Sequence, residues 1–555
     1  MLVGIDVGGT FTDAVIVKDR QVLVQTKVPT THGNLLSGIL AVLDQVLEGV
    51  DRRAIERISL STTIVTNALI ENKTDRVGLV LIPGPGLDIA GYVPQEPVIL
   101  TGYTDHRGRK RLALAESELV KAAQKLASYK VLAVSGKFAV RNPEQEMLAA
   151  GTLRKANHPR HISLGAGMAG TLNFLRRTNS AYYNAAVWRV FQAFAQAVET
   201  ALLQREITAP VYILKADGGT LPLAAAKELP VESIFTGPAA SVLGIMALAA
   251  PEVPAVSLDI GGTTTDIALW QEGRPLFASR GAAVAGYPTA VRGFRLSSVG
   301  IGGDSLVRRE NGELKIGPMR QGAPMALGGP APTVSDALVV AQKVQLGDAG
   351  QAQAAMQQVA AAGQTPAAAA EEVLAATAGC ICQAIERMLA EQAAEPVYRV
   401  ADIVHGELFT PRLLIGVGGA AGGLVPLVAD SLGLECRIPD GAQVANAIGA
   451  AVARPTLDIT FRADTEQGYY TVAEMGERGS LTVKPFGMSE ARRLAEKSLA
   501  ERAAQAGVDL ADSEAVYAEE FNMVRGFHTA GKLITLRMQI KPGVLSTIDG
   551  ISDRR

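Results

Sequence analysis

Near its start the chain carries the segment Ile5-Asp6-Val7-Gly8-Gly9-Thr10-Phe11-Thr12-Asp13. A closely related segment, Leu258-Asp259-Ile260-Gly261-Gly262-Thr263-Thr264-Thr265-Asp266, lies near the middle. Short apolar runs precede and follow both segments, so each one predicts a strand, a Gly-Gly turn and a second strand. Internal repeats of this kind indicate duplicated structural units. The sequence therefore predicts two related lobes that face one another.

The two predicted hairpins contain the residue types that bind a chain of phosphates. Glycines allow close approach of the backbone and direct amide N–H groups at phosphate oxygens, and threonine hydroxyls add donors. A single turn of this type could be an ordinary hairpin, whereas two matched copies favour a nucleotide site. The residues predicted to bind phosphate are Gly8, Gly9, Thr10, Thr12, Gly261, Gly262, Thr263 and Thr264.

Four carboxylates flank these turns and are the candidate catalytic residues. Asp6 and Asp259 end the first strand of each hairpin. They are predicted to hold Mg²⁺ directly or through water, because magnesium prefers oxygen ligands and keeps several waters. Asp13 and Asp266 lie on the far side of each turn. Either could act as a base, bind the metal or simply close its hairpin.

The composition predicts a cytoplasmic protein with large cores. Of its 555 residues, 48% are hydrophobic and 19% charged, and the net charge is −2. This balance argues against nucleic acid or an anionic membrane as a main partner. Three cysteines are too few for a disulfide framework, which favours a reducing compartment. Residues Met1–Asp6 lack the basic lead of a signal peptide, and we expect no membrane-spanning segment.

The remaining pattern predicts three units along the chain. Strand-like and helix-like segments alternate in the first, residues 1–215, which implies a mostly parallel sheet. Residues 216–455 form the second lobe, and residues 456–555 are expected to be a separate α+β tail with one helix, Ser489–Ala506. In the second lobe, Cys380 and Cys382 fall in a helical stretch, where we expect buried structural thiols on different faces.

Two further glycine-rich loops follow the second hairpin. The first is Gly300-Ile301-Gly302-Gly303-Asp304, and the second, Gly416–Gly423, continues from the strand Leu413–Val417. The second loop also fits a dinucleotide-binding fingerprint, with Glu435 at a suitable distance. The paired hairpins explain this loop better, because it then belongs to the same nucleotide site. The chain has no Gly-x-x-x-x-Gly-Lys-Ser/Thr segment, which argues against a P-loop NTPase.

The order of these segments resembles the actin/Hsp70/hexokinase superfamily. In that superfamily each lobe carries a phosphate loop, and two connecting helices and an adenosine loop complete the site. Phe235–Gly244 resembles the first connecting helix, Gly416–Gly423 the adenosine loop and Ala445–Ala451 the second connecting helix. The resemblance implies a two-lobed α/β fold of duplicated RNase H-like domains, with ATP and Mg²⁺ between the lobes. The further nucleotide contacts that it implies are Gly302, Gly303, Asp304, Gly418, Gly419 and Gly422.

Within that superfamily the chain resembles hydantoinase/oxoprolinase A-type subunits. The matching stretches occur in the family's order and sample most of the chain before the tail; they are residues 4–13, 61–71, 216–219, 236–240 and 259–266. The chain is shorter than the usual family member, and residues 456–555 do not resemble the usual C-terminal domain. Residues Arg176–Tyr182 fit the family's mid-chain signature only in part.

The family resemblance implies ATP-dependent hydrolysis of a cyclic amide such as hydantoin or 5-oxoproline, through phosphorylation of the carbonyl oxygen. Relatives carboxylate ketones by a similar activation, and the same fold also serves ATPases that reactivate a partner enzyme. Thr62, Thr63 and Asn67 would line the cleft near the substrate, or alternatively form the start of a helix. The implied partners are a small-molecule substrate, a B-type subunit and a second copy of the chain.

Overall fold

A computed structural model describes residues 1–30, 35–279, 281–394, 409–483, 485–510 and 512–551. Up to Pro222 the chain forms two larger sheets, one small two-stranded sheet and the helices around them. The strands are β1 (Leu2–Val7), β2 (Phe11–Lys18), β3 (Gln21–Pro29), β4 (Arg57–Thr62), β5 (Val77–Ile82), β6 (Val98–Ile99), β7 (Tyr103–Thr104), β8 (Lys110–Leu112), β9 (Val131–Gly136), β10 (His161–Leu164), β11 (Val211–Leu214) and β12 (Thr220–Pro222). The helices are α1 (Leu35–Val46), α2 (Ile64–Ile70), α3 (Glu116–Leu126), α4 (Glu144–Asn157), α5 (Gly165–Met168) and α6 (Phe174–Gln204).

The first sheet has the order β12-β11-β4-β1-β2-β3 and contains the first predicted hairpin. β1 and β2 pair antiparallel with Asp6 opposite Asp13, and β1 also runs parallel to β4. β1 is buried along nearly its whole length, as expected for a continuous apolar strand covered on both faces. The strands β10-β9-β5-β6 pair in parallel as a separate sheet, so the predicted strands at 58–60 and 77–82 lie in different sheets.

The chain from Leu223 to Val452 repeats the arrangement around the second hairpin. Its helices are α7 (Leu223–Glu228), α8 (Thr236–Ala249), α9 (Val334–Val340), α10 (Ala349–Val359), α11 (Pro366–Ala393), α12 (Ala421–Leu432) and α13 (Ala445–Val452). Its strands are β13 (Ala255–Ile260), β14 (Thr265–Gln271), β15 (Arg274–Pro275), β16 (Ala283–Val284), β17 (Tyr287–Pro288), β18 (Leu296–Val299), β19 (Val307–Glu310), β20 (Glu313–Ile316), β21 (Leu413–Val417) and β22 (Glu435–Arg437). β13 pairs antiparallel with β14, with Asp259 opposite Asp266, and runs parallel to β21.

The C-terminal segment is an α+β unit, as predicted. It comprises β23 (Asp458–Asp464), β24 (Tyr469–Val472), β25 (Glu477–Ser480), α14 (Met488–Ala506), β26 (Ser513–Arg525), β27 (His528–Ile540) and β28 (Gly550–Ile551). Its sheet has the order β25-β24-β23-β27-β26, whereas β28 pairs with β3 of the first sheet. Phe461, Leu499 and Leu536 share one apolar core with Ile5 and Val187, so the tail packs on the first lobe.

The two-lobed α/β class with an α+β tail is confirmed. The boundaries at 215 and 455 stay a prediction. β12 lies beyond residue 215 but pairs with β11 in the first sheet, and Thr220 bridges Pro455. The first lobe's sheet therefore takes up chain from both sides of the predicted division.

Helix α11 carries two of the three cysteines, Cys380 and Cys382. Cys382 is buried, but Cys380 is exposed, so the expectation of a buried thiol at Cys380 is wrong. Residues two positions apart on an α-helix project about 200° from one another, so only one of Cys380 and Cys382 faces the core. By length and composition α11 could also cross a membrane, but half of its most apolar window is buried inside the structure. It packs against α9, α10 and α12, as a core helix does.

The two predicted connecting helices, α8 and α13, cross in close contact. A Cβ atom built on Gly449 of α13 would lie 2.1 Å from the carbonyl oxygen of Ala240 in α8. One built on Gly244 of α8 would lie 2.1 Å from the carbonyl oxygen of Ala445 in α13. α13 also approaches β1 at Gly4. Because these neighbours are backbone atoms, only glycine allows the helices to pack at this distance.

We expect Gly449→Ala to lower the free energy of unfolding by more than about 2 kcal/mol, because the added methyl meets backbone that cannot move independently. The matched control is Gly379→Ala in α11, where an added Cβ meets no atom within 4 Å. That change should stabilise by about 0.5–1 kcal/mol through helix propensity. Urea unfolding followed by circular dichroism measures both. Equal effects of the two changes would contradict the close crossing.

Candidate functional site

The turns of the two hairpins lie against one another. A Cβ atom built on Gly262 would lie 2.5 Å from the Thr10 hydroxyl, and one built on Gly9 would lie 3.8 Å from the Thr263 hydroxyl. Each turn is closed by its own backbone hydrogen bond, Gly8 N–H to the Phe11 carbonyl at 3.0 Å and its counterpart in the second hairpin. The structure thus brings the two predicted phosphate-binding segments to one place.

Behind these turns Asp6 and Asp259 form a close pair, in which Asp6 is buried and Asp259 half-buried. The pKa of Asp6 is raised to about 7, chiefly by burial and also by the charges of Asp13 and Asp259, although hydrogen bonds with Ser61 and Asn446 oppose the shift. Asn446 also donates to Asp259 Oδ2 at 3.0 Å. Asp6 Oδ1 is buried with no hydrogen-bond partner. Such a group is stabilised by a nearby cation, which would hold both carboxylates ionised.

The two outer carboxylates have different surroundings. Asp13 pairs with Lys27, whose Nζ lies 2.9 Å from Asp13 Oδ1, and burial still raises the Asp13 pKa. Burial, then the charge of Asp259, raises the pKa of Asp266 to about 7, against a hydrogen bond with Ser298. The charge of Asp13 is therefore neutralised by Lys27. Asp266, like Asp6, has no cation paired with it among the residues that the structure describes.

The four predicted threonines divide by position. Thr10 and Thr263 are half-buried and Thr264 is exposed, all at the tips of the turns. Thr12 is fully buried, and its hydroxyl contacts that of Thr30 at 3.1 Å; Thr30 in turn donates to the Gly8 carbonyl at 2.9 Å. Thr12 thus supports the turn from behind and does not face the space between the hairpins.

The glycine loop 300–304 is hydrogen-bonded to the second hairpin. Gly303 N donates to the Gly261 carbonyl at 2.9 Å, and Asp304 N donates to the Gly262 carbonyl at 2.6 Å. A Cβ atom on Gly302 would lie 2.5 Å from the Gly261 carbonyl. The loop therefore extends the second turn. It places the Asp304 carboxylate near the tip of the first turn. Burial raises the pKa of Asp304, and a hydrogen bond with Thr10 opposes this rise.

The predicted adenosine loop joins the same cluster. Gly418 has φ of +94°, and a Cβ there would lie 2.7 Å from Asp259 Oδ1. By contrast, Cβ atoms built on Gly419 and Gly422 would meet no atom within 4 Å. One end of the loop thus approaches the Asp259 carboxylate, while these two glycines face open space where a ligand can lie.

Residues Thr62, Thr63 and Asn67 lie beside the first hairpin. Thr62 is fully buried; its N–H donates to the Thr236 hydroxyl at 3.1 Å, and Thr236 donates to the Thr62 carbonyl at 2.9 Å. The Thr63 hydroxyl donates to the Val7 carbonyl at 3.4 Å and accepts from Asn67 Nδ2 at 3.1 Å. Helix α2 is therefore attached both to the end of β1 and to the start of α8. A substrate contact by these residues stays a prediction.

Three polar residues at the site were not predicted. Lys27 of β3 pairs with Asp13, Asn446 of α13 reaches both inner carboxylates, and Arg320 lies 3.0 Å from Asp304 Oδ2. Asn446 lies in the stretch that predicts the second connecting helix. An asparagine among small apolar residues there is a signal that could have marked it as a site residue. Lys27 and Arg320 belong to segments without any motif, and only the folded chain brings them to the site.

The donor set fits ATP with Mg²⁺. Within the described ranges no group of three or more His, Cys, Asp or Glu side chains could hold a metal. Asp6 and Asp259 supply two carboxylates, which suits an ion that keeps several waters and takes phosphate oxygens as further ligands. The backbone N–H groups of Gly9 and Gly262 lie nearby for the phosphates. The residues present therefore match the predicted ligand in charge and kind.

Comparison with known proteins decides the family. Residues 2–157 match the profile described as the hydantoinase/oxoprolinase N-terminal region, and residues 177–459 match that of hydantoinase/oxoprolinase. The chain belongs to the hydantoinase/oxoprolinase family. The two matches cover the hairpins, both connecting helices and the adenosine loop, so the resemblance read from the sequence motifs is confirmed.

Several curated relatives of this hydantoinase/oxoprolinase member are enzyme subunits. The caprolactamase alpha subunit of Pseudomonas jessenii is 28% identical over 372 residues, which cover 60% of this chain and 53% of that protein. The acetophenone carboxylase gamma subunit of Aromatoleum aromaticum is 25% identical over 398 residues, or 61% and 52% of the two chains. The chain thus spans about half the length of these relatives.

Two solved structures share the fold over nearly all of the chain. A nucleotide-free acetone carboxylase gives a TM-score of 0.71 at 18% identity and covers 98% of this chain and 88% of that one. The ATP-dependent caprolactamase of Pseudomonas jessenii gives 0.70 at 22% identity and covers 97% and 87%. The shared fold therefore extends into the tail, which the sequence motifs did not relate to the family.

We expect Asp6→Asn to stabilise the fold at pH 8. The pKa of Asp6 is about 7 in the folded chain and about 4 when unfolded. The unfolded chain thus loses this proton first, and the free energy of unfolding falls as the pH rises from 4 to 7. Asparagine removes that penalty, by up to about 4 kcal/mol at pH 8.

Urea unfolding at pH 8 and pH 5, without nucleotide or metal, measures this effect. The gain should be largest at pH 8 and shrink towards pH 4, where the wild-type carboxyl is already neutral. Glu116→Gln, on the exposed side of α3, is the control and should show no such pH dependence. A variant no more stable than the wild type at pH 8 would refute the buried-charge account of Asp6.

Proposed function

We propose that this chain binds ATP with Mg²⁺ between its two hairpins and uses it to activate a cyclic amide for hydrolysis in the cytoplasm. One observation carries the proposal: the two Asp-x-Gly-Gly-Thr turns meet tip to tip, with Asp6 and Asp259 close together behind them. The family membership supports the cyclic amide as the substrate class. The relatives named caprolactamase and 5-oxoprolinase point the same way.

The proposed chemistry overcomes the low reactivity of an amide. ATP supplies a phosphoryl group to the carbonyl oxygen, which breaks the terminal phosphoanhydride bond and leaves the carbon electrophilic. Water then adds to the carbon, the C–N bond of the ring breaks, and a second water releases phosphate. The products are ADP, phosphate and a ring-opened molecule with one amine and one carboxylate.

The residues of the chain divide this work. Asp6 and Asp259 would hold Mg²⁺, and the raised pKa of Asp6 means that the metal also keeps that carboxylate ionised near neutral pH. Backbone N–H groups at Gly9 and Gly262 would orient the phosphates. Closure of the lobes would exclude water from the transfer step. Because several relatives are named as subunits, we propose a B-type subunit as partner for the hydrolytic steps.

A second candidate function has a specific observation behind it. The acetophenone carboxylase gamma subunit is nearly as similar in sequence as the caprolactamase alpha subunit, and the acetone carboxylase structure has the same fold. A ketone enolate and bicarbonate can each be phosphorylated on oxygen, so the same nucleotide site would serve carboxylation. The substrate therefore distinguishes the two functions, and the nucleotide chemistry does not.

A substrate screen tests the proposal. ATP turnover by the purified chain, alone and with a B-type subunit, is measured with hydantoin, 5-oxoproline and caprolactam, and with acetone and acetophenone plus bicarbonate. We expect a cyclic amide to raise ADP release at least about tenfold and to yield the ring-opened amino acid. Stimulation only by ketone with bicarbonate would replace hydrolysis by carboxylation.

The same assay tests the metal residues. Asp6→Ala and Asp259→Ala should each reduce stimulated turnover at least about a hundredfold while the circular dichroism spectrum is retained. Glu116→Gln again serves as the exposed control. Near-normal turnover in both aspartate variants would contradict the proposed Mg²⁺ site.

Gly419→Val tests the adenosine loop. An added side chain there meets no protein atom, and the residue has no positive φ, so the fold should tolerate valine. Valine would occupy the space assigned to the nucleotide, and we expect ADP affinity to fall at least about tenfold by calorimetry. The control is Gly151→Val in α4, also unhindered. Unchanged ADP affinity in Gly419→Val would remove this loop from the site.

A further inference from the structure

A polar cavity lies between the first sheet and the C-terminal unit. It is formed by the end of β11, the turn Pro230–Ser233, the segment around Arg292, and residues of β23, α14 and β27. Its empty volume is about 650 Å³, counted out to open solvent. None of the predicted nucleotide, metal or substrate residues lines it.

Part of the charge in this cavity is already paired within the protein. Lys215 Nζ lies 3.2 Å from Asp217 Oδ2. Arg537 donates to Asp458 Oδ2 from Nε at 2.8 Å, and a second nitrogen of Arg537 lies 2.6 Å from the same oxygen. The Glu474 carboxylate accepts from backbone N–H groups, among them that of Gly170 at 2.9 Å. Arg502 donates to the Asp458 carbonyl oxygen. These three cations and three carboxylates form a fixed, electrically balanced wall.

Two lining charges are incompletely paired. Among the described residues only Lys215 lies within 4.0 Å of the Glu232 carboxylate, and that ammonium lies closer to Asp217. Arg537 is also near Glu232 but pairs with Asp458. The Arg292 guanidinium stacks on the Phe277 ring, 4.0 Å from its centroid, and donates to the neutral amide oxygen of Gln539. In the part of the chain that the structure describes, Arg292 forms no ion pair. One carboxylate and one guanidinium thus remain available in the same cavity.

A third lining group is also unsatisfied. Thr456 is 3% exposed, and its hydroxyl has no hydrogen-bond partner. A buried hydroxyl without a partner costs free energy, and so does a buried charge without one. Three such groups around one cavity indicate a site that is completed by a ligand.

We propose that this cavity binds a small amino acid, with its carboxylate on Arg292 and its ammonium on Glu232. A guanidinium offers a planar pair of donors that matches a carboxylate. A ligand with one charge of each sign leaves the balance of the cavity unchanged, whereas a simple acid or a simple amine adds an unpaired charge. Thr456 can supply or accept a further hydrogen bond.

The electrostatics of the two groups agree with this assignment. Burial raises the pKa of Glu232 to about 7, with the charge of Lys215 opposing the shift. Burial likewise lowers the pKa of Arg292. The main charges that oppose these shifts, Lys215 and Arg537 near Glu232 and Asp217 and Asp458 near Arg292, belong to the pairs described above. A ligand ammonium and carboxylate would supply closer partners.

The ligand class is related to the proposed function without depending on it. Ring opening of a cyclic amide yields one amine and one carboxylate on one molecule, so a product of that reaction belongs to the class. The cavity itself is argued only from its own charges, and it shares no residue with the nucleotide site. Failure of either proposal can therefore be recognised separately.

Isothermal titration calorimetry of the full chain tests the site with matched probes. The amino acids are γ-aminobutyrate and ε-aminocaproate; the single-charge controls are butyrate, caproate, butylamine and hexylamine. We expect at least one amino acid to bind saturably, at least about tenfold more tightly than its single-charge counterparts. ADP titrated separately reports the nucleotide site.

Variants then assign the two ends of the ligand. Arg292→Gln and Glu232→Gln should each weaken amino-acid binding at least about tenfold and leave ADP affinity unchanged. Lys121→Gln and Glu116→Gln, exposed on α3, are matched controls of the same charge change. Thermal unfolding checks that each variant is folded, and Arg292→Lys replaces Arg292→Gln if the latter is not.

Three results would each overturn the proposal. The first is no saturable binding of any amino acid to the folded wild-type chain. The second is equal binding of the acids or amines that carry one charge. The third is unchanged amino-acid affinity in the folded variants of both Arg292 and Glu232.

Discussion

The close approach of two carboxylates, the buried Asp6 and the half-buried Asp259, is the constraint around which this molecule is built. Neither hairpin could create it alone, because each supplies one carboxylate at the end of one strand. Two strands from different lobes must end at the same point, and α8 and α13 must cross beneath them. The crossing is possible because Gly244 and Gly449 carry no side chain where backbone meets backbone. Glycines far from any ligand thus determine the geometry of the charged site.

This pair of carboxylates destabilises the folded chain in the absence of a cation. The raised pKa of Asp6 shows that its ionised form is unfavourable in the folded chain near neutral pH. The pKa of Asp266 is raised in the same way, so its ionised form is also unfavourable. Surrounding strands such as β1, buried on both faces, offset this cost with continuous apolar contact. A site that destabilises the fold when empty and stabilises it with a metal polyphosphate bound gains free energy on binding that uncharged residues could not provide.

The sequence predicted those features that are local. Gly-Gly turns, strand alternation and the connecting-helix stretches depend on neighbouring residues, and all appear in the structure at the expected places. What the sequence did not predict depends on contacts between distant segments. Lys27 pairs with Asp13 only because β3 lies beside β2, and Thr12 faces Thr30, away from the ligand space, because of the strand's alternation. The predicted boundary at residue 215 follows the order of the motifs, which says nothing about strand pairing. It therefore misses that β12, beyond the boundary, pairs with β11 in the first sheet.

The two sites are joined by one short stretch of chain. Glu232, in the amino-acid cavity, lies four residues before Thr236, the first residue of α8. Thr236 exchanges hydrogen bonds with Thr62, and the neighbouring Thr63 donates to the carbonyl of Val7 at the end of β1. A ligand that shifts the turn at Glu232 therefore acts on the element that positions the first phosphate hairpin. Any such effect must be reciprocal, so nucleotide binding would change amino-acid affinity by the same factor.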